Sequence, residues 1–195
     1  MRTSTKLSAA LLALILLPTF AHAHPGHDAA SFSQGFAHPL LGLDHLLAML
    51  AIGLWAVQLG GRALWLVPAS FVAAMAAGGA LGVAGLNLPL MEQGIVASVL
   101  ILGLLVAAAV RLPLVASVAL VALFSLFHGF AHGSEMPANA QGVFYGLGFM
   151  LATALLHASG IAAGLMTRQL AQSRWIQAAG GAIALCAVLL AFEVI

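Results

Sequence analysis

Charge is scarce in this chain of 195 residues: Asp, Glu, Lys and Arg make up 6% of it, against 63% hydrophobic residues. Soluble domains are about a quarter charged, so a water-soluble globule is excluded and the bilayer is the solvent that suits the composition. The net charge of +1 leaves no basic footprint, which excludes nucleic acid as a partner. Cysteine occurs once, as Cys186. An internal disulfide is therefore impossible, and a thiolate-built zinc or iron–sulfur site is excluded. No Gly-x4-Gly-Lys-Ser/Thr loop is present, which argues against direct drive by ATP. What is left for chemistry is eight histidines, five acids and seven methionines.

Arg2 and Lys6, the apolar run Leu7 to Leu17 and the small-x-small Ala21-His22-Ala23 predict a signal peptide over residues 1–23, cut after Ala23. An uncleaved first membrane helix is the alternative. Cleavage puts the mature N-terminus on the outer face. Residues 24–37 then form an outer segment that begins His24-Pro25-Gly26-His27. The free amine beside the His24 imidazole is a bidentate chelate, and Pro25, lacking an N–H, blocks recruitment of the next backbone amide. A cut after Ala21 instead leaves His22-Ala23-His24, a pattern for square-planar copper or nickel. A polar tail that happens to hold histidines is the plainer reading.

Residues 38–195 read as one domain, an all-α polytopic transmembrane bundle in the inner (cytoplasmic) membrane. The apolar runs predict six helices, near 38–58, 64–84, 92–110, 113–132, 142–166 and 175–194, each close to the roughly 20 residues needed to span. With the N-terminus outside, the inner loops hold Arg62, Arg111, Arg168 and Arg174, while Asp28, Glu92, Glu135 and the C-terminal Glu193 fall outside. This agrees with the positive-inside rule and puts both mature termini on the periplasmic side. Gly78-x3-Gly82, Gly129-x3-Gly133, Gly142-x3-Gly146 and Gly160-x3-Gly164 predict close helix packing. No repeat relates the two halves, and the polar motifs share one membrane side, so an inverted repeat is not expected.

The first helix opens His38-Pro39-Leu40-Leu41-Gly42-Leu43-Asp44-His45. Pro39 suits a first helical turn. His38 and His45, two turns apart, are expected on nearly one stripe, with Asp44 about 100° away, able to complete a site or to orient an imidazole from behind. An acid this deep in a membrane is costly and usually functional. Met49, one turn below His45, is packing filler or a soft ligand. The fourth helix ends Phe127-His128-Gly129-Phe130-Ala131-His132-Gly133-Ser134-Glu135. His128 and His132 share a face at i, i+4, a spacing that lets two imidazoles reach one ion, and Glu135 follows in the last turn. Imidazoles with carboxylates suit nickel, cobalt or zinc better than calcium or copper(I). His157 stands apart in the fifth helix: Thr153, one turn earlier, satisfies it, or it is a second station on an inward path.

These residues resemble the HupE/UreJ family of membrane proteins. The likeness rests on His-Pro-x2-Gly-x-Asp-His at His38 to His45, continues through Met49 and Gly53-x-Trp55, and returns at Phe127 to Glu135. It extends over the whole chain. The larger nickel–cobalt permeases carry His-x4-Asp-His; this chain has His-x5-Asp-His, which argues against membership there. The resemblance implies uptake of nickel, with cobalt or zinc as alternatives, to supply metalloenzymes such as hydrogenase or urease. It implies no resident cofactor and no enzymatic activity, and metalloenzyme maturation proteins are candidate partners. It puts His38, Asp44, His45, His128, His132 and Glu135 in binding or translocation, with His24, His27, Met49 and His157 as weaker candidates. A zinc-dependent intramembrane hydrolase and a metal-binding accessory or sensor protein are the rival expectations.

Overall fold

The computed structural model describes residues 27–136, 140–170 and 174–194. The expected signal peptide and His24 lie outside them. Among the described residues there are seven helices and no strand: α1 His27–Leu41, α2 Leu43–Leu59, α3 Ala63–Val83, α4 Met91–Ala107, α5 Leu114–Glu135, α6 Ala140–Gln169 and α7 Arg174–Ala191. Four of these, α3, α5, α6 and α7, are long and apolar enough to cross a membrane, and α1 with α2 makes a fifth if the bent pair is one span. The remaining helix, α4, is apolar but has 17 residues, about 25 Å at 1.5 Å per residue.

The first predicted helix is corrected. Helix begins well before residue 38, and the chain breaks at Gly42, where α1 and α2 meet at 76°. Pro39 therefore closes α1 instead of opening a helix. It has no N–H to continue the ladder, and Gly42, at φ −81° and ψ 113°, is extended. Within residues 27–37, Phe32 and Phe36 stack one turn apart. Gly35 and Gly148 let α1 and α6 touch backbone to backbone, since a Cβ on either would overlap the other helix's main chain.

Apolar on every side, α2 is the axis of the bundle, its residues from Ala48 to Val57 largely buried. It packs on α6 through Gly53 and Gly160. α3 lies along α5: a Cβ at Gly78, Gly82, Gly129 or Gly133 would run into the facing backbone. α4 meets α7 in the same way at Gly103 and Gly180. The expected close packing thus holds for the Gly78/Gly82, Gly129/Gly133 and Gly160/Gly164 pairs. Gly146 differs, for its nearest neighbour across a groove is the Met136 sulfur at 4.0 Å. Outward faces carry Val115, Leu123, Leu151, Leu155 and Leu185, all exposed, as suits a lipid-facing surface. Cys186 is free.

Candidate metal centre

Three helices bring four imidazoles together at one end of the bundle. His38 comes from the last turn of α1, His45 from the first turn of α2, and His128 and His132 from α5. His38 and His45 do not form a stripe on one helix, because the bend at Gly42 separates them. Their rings still lie 6.2 Å apart, since the bend folds the end of α1 over the start of α2. His132 is central, with ring centroids 4.5 Å from both His38 and His45. His128 lies 4.7 Å from His45, edge to face. His45, His128 and His132 are buried, while His38 is partly exposed.

Asp44 stands behind His45. Its Oδ1 accepts the His45 Nδ1–H at 2.8 Å and the His45 backbone N–H at 2.8 Å. Adjacent residues diverge on a straight helix, but here the carboxylate folds back over the free first turn of α2. The aspartate is thus an orienting partner for an imidazole, one of the two roles expected of it. Gly42 lies beneath the pair: a Cβ there would be 3.1 Å from Asp44 Oδ1 and 3.3 Å from His45 Nδ1.

Hydrogen bonding fixes the tautomers. With Nδ1 donating to Asp44, neutral His45 keeps a lone pair on Nε2. That atom is 2.6 Å from His132 Nε2, so the proton between them belongs to His132, whose buried Nδ1 is left as an unpartnered lone pair. On His128, Nε2 is 2.8 Å from Ser98 Oγ. Ser98 gives its one proton to the Ile95 carbonyl at 2.6 Å, so His128 Nε2 donates and its Nδ1 is a second unpartnered lone pair. Each such buried lone pair is an acceptor that no protein group uses, open to a proton donor or an electrophile.

Among the described residues, no three His, Cys, Asp or Glu side chains surround one point as a finished ion cage; the rings rest on one another. The required opening is small. Metal–nitrogen bonds near 2.0–2.1 Å put two imidazole nitrogens on one ion roughly 2.9–3.4 Å apart. The 2.6 Å spacing of His45 and His132 is short of that by a few tenths of an ångström, and the His132 proton must also move from Nε2 to Nδ1 before both Nε2 atoms can face one ion.

Other expected residues are placed differently. Glu135 is exposed at the end of α5, outside the buried cluster. Met49 is fully buried in the hydrophobic core. His27 opens α1. His157 is not satisfied by Thr153, as one expectation had it: the Thr153 hydroxyl turns to the Met75 sulfur at 3.8 Å, and neither His157 nitrogen has a partner.

Sequence reasoning missed the neighbours that hold the rings. Phe149 packs 4.5 Å from His132 and 6.0 Å from His38 and His45. Tyr145 lies 6.0 Å from His38. The two stand one turn apart on α6, and Tyr145 is the chain's one tyrosine, a signal that was available. Ser98 gave a weaker one, a hydroxyl alone in an apolar helix. A groove of about 600 Å³ reaches His132 between α3, α5 and α6, lined in part by Met75, Met136 and Met150.

Against known proteins, a family model described as HupE / UreJ protein matches residues 12–190. "Protein HupE" of Rhizobium leguminosarum bv. viciae is 46% identical over 176 residues, which cover 89% of this chain and 91% of that protein. No solved structure gives a significant match.

Proposed function

The chain belongs to the HupE/UreJ family, and from that premise we propose that it is an uptake permease for a divalent transition metal, nickel first and cobalt next, that supplies metalloenzymes such as hydrogenase or urease. The observation that carries this reading is the junction of the two histidine motifs: residues 87 apart in sequence meet at 2.6 Å through His45 and His132, with Asp44 behind.

In this reading the six crossings are the bent α1–α2 pair and α3 to α7, with the short α4 as a full span. The histidine end faces outward, the N-terminal signal is removed, and the arginine-bearing ends face the cytoplasm. The hydrated ion meets the partly exposed His38 and the carboxylate of Glu135 at the rim. It then exchanges water for the lone pairs of His45, His132 and His128 as the rings part. Asp44 holds His45 with Nε2 free for the ion and offsets its charge in a region of low dielectric. Imidazoles and carboxylates favour nickel, cobalt and zinc over magnesium and calcium. Protonated imidazole binds no metal, so uptake should fall as the outer pH is lowered.

The test is uptake of radioactive nickel by cells that lack their own nickel importers. His45→Ala and His132→Ala should each abolish uptake at normal membrane abundance, and cobalt should compete better than magnesium. A wild-type protein that is abundant yet moves neither nickel nor cobalt would sink the proposal, and turnover of lipid by it would point to a zinc hydrolase.

A further inference from the structure

His157 lies deep in the bundle, outside both histidine motifs. It is 2% exposed, and both Nδ1 and Nε2 are buried without a partner. A neutral imidazole always carries one N–H and one lone pair, so neither capacity is used. Polar groups left in this condition inside a membrane domain are costly and call for a functional reason.

Its surroundings supply one. His157 lies eight residues beyond Phe149 on α6, about 12 Å further from the histidine end. The Phe71 ring of α3 stands between the two places, 5.6 Å from His128 on one side and 5.2 Å from His157 on the other. One turn after Phe71, Met75 presents its sulfur to Thr153 Oγ1, one turn before His157. Met75 also stands beside Gly129 and lines the groove that reaches His132, so the facing sides of α3 and α6 put a thioether and its hydroxyl partner on the cluster side of Phe71 and His157, one turn away along each helix.

We propose that His157 is a second coordination station for the transported ion, entered from the outer cluster past Phe71, with Met75 as the soft donor on the approach to it. This rests on the permease reading. The chemistry sets the station's character. Imidazole and thioether select a borderline or soft metal over magnesium or calcium. With no carboxylate among these donors, the station holds a divalent ion more weakly than the cluster backed by Asp44, as a site that must pass its ion onward requires.

The experiment uses the full-length protein in lipid nanodiscs, titrated with Ni²⁺ by calorimetry and with Co²⁺ by absorption spectroscopy, beside nickel uptake in cells. Wild type should bind in a tight and a weaker phase. His157→Leu should remove the weaker phase, spare the tight one and lower uptake at least tenfold. It should also raise the thermal unfolding midpoint, because an unpartnered polar group gives way to an apolar one; a merely structural histidine would give the opposite sign. Met75→Leu, which conserves volume, should weaken the second phase three- to tenfold, and it decides the matter if His157→Leu fails to accumulate. Two unchanged phases in His157→Leu with uptake within twofold of wild type, or an unchanged second phase in Met75→Leu, would overturn the proposal. A wild type that moves no nickel but keeps a His157-dependent phase would support the metal station and overturn the permease reading alone.

Discussion

The α3–α5 and α4–α7 contacts are built by the same device and differ in what they carry. In each, glycines bring two helices so close that a Cβ would meet the facing backbone: Gly78, Gly82, Gly129 and Gly133 in the first, Gly103 and Gly180 in the second. The neighbours of those glycines differ. On α5, Gly129 and Gly133 each directly follow a histidine, His128 and His132, whereas Gly103 sits between leucines and Gly180 beside Ala179 and Gly181. Small-residue spacing is thus a packing rule that reports no function by itself. Where histidines flank the glycines, the packing also fixes those histidines, because a backbone-to-backbone contact has no rotamers to relax.

The most severe way to break this comparison is to add one methyl group to each interface. Gly133→Ala and Gly180→Ala should both destabilise the protein, since over-packing costs roughly 1–3 kcal/mol, read as a lower unfolding midpoint in detergent. Only Gly133→Ala should also lower nickel uptake per folded molecule, on the order of a hundredfold, because α5 must retreat from Gly79 and take His132 with it. Equal loss of specific uptake in Gly180→Ala would mean that the α4–α7 contact matters to transport as much as the α3–α5 contact.

A smaller effect is expected where the ring is held from behind. Asp44→Asn keeps an acceptor for His45 Nδ1–H but removes the charge, and loss of such orienting partners typically costs about 10–100-fold in metal affinity. Cobalt titration of the purified protein would measure it, and an affinity within twofold of wild type would show that Asp44 is structural. Smaller again is Ser98→Ala, which frees His128 to change tautomer. We expect a loss of affinity of about three- to tenfold, in keeping with the net value of one hydrogen bond, roughly 0.5–1.5 kcal/mol. Nitrogen-15 NMR of the histidines should show His128 leaving the Nε2–H form; a spectrum that does not change would contradict the assigned proton.

Much of this was legible in the sequence, and the gaps have physical causes. Apolar runs located α3 to α7 within a few residues, and spacing and composition singled out His45, His128 and His132 before any contact was known. The bend was not legible because Pro39 serves equally at the start of a helix or near its end. The choice depended on α1, whose Ser, Gln and His content disguised Phe32, Gly35 and Phe36 as a polar segment. Asp44 was assigned an angle from an unbroken helix, and the break made that angle irrelevant. The isolation of His157 could not be read at all, for it depends on Thr153 finding the Met75 sulfur across on α3.

The least effect, and the finest test of how far backbone geometry sets the histidine cluster, lies at the bend. Gly42 has negative φ, so alanine meets no conformational penalty there, and the one consequence of Gly42→Ala is its methyl group. That group would stand 3.1 Å from Asp44 Oδ1 and 3.3 Å from His45 Nδ1, closer than ordinary contact by a few tenths of an ångström. The Asp44 carboxylate is 30% exposed and can yield, whereas His45 is buried among the other rings and cannot. The expected result is a slight loosening of the Asp44–His45 pair, with metal affinity lower by about two- to threefold, a fraction of a hydrogen bond's worth, and an unfolding midpoint close to that of wild type. If affinity instead fell as far as in Asp44→Asn, the bend would be as strict a positioning device as the α3–α5 glycines. The contrast between backbone contacts that carry the clustered histidines and those that only pack would then extend to α1 and α2.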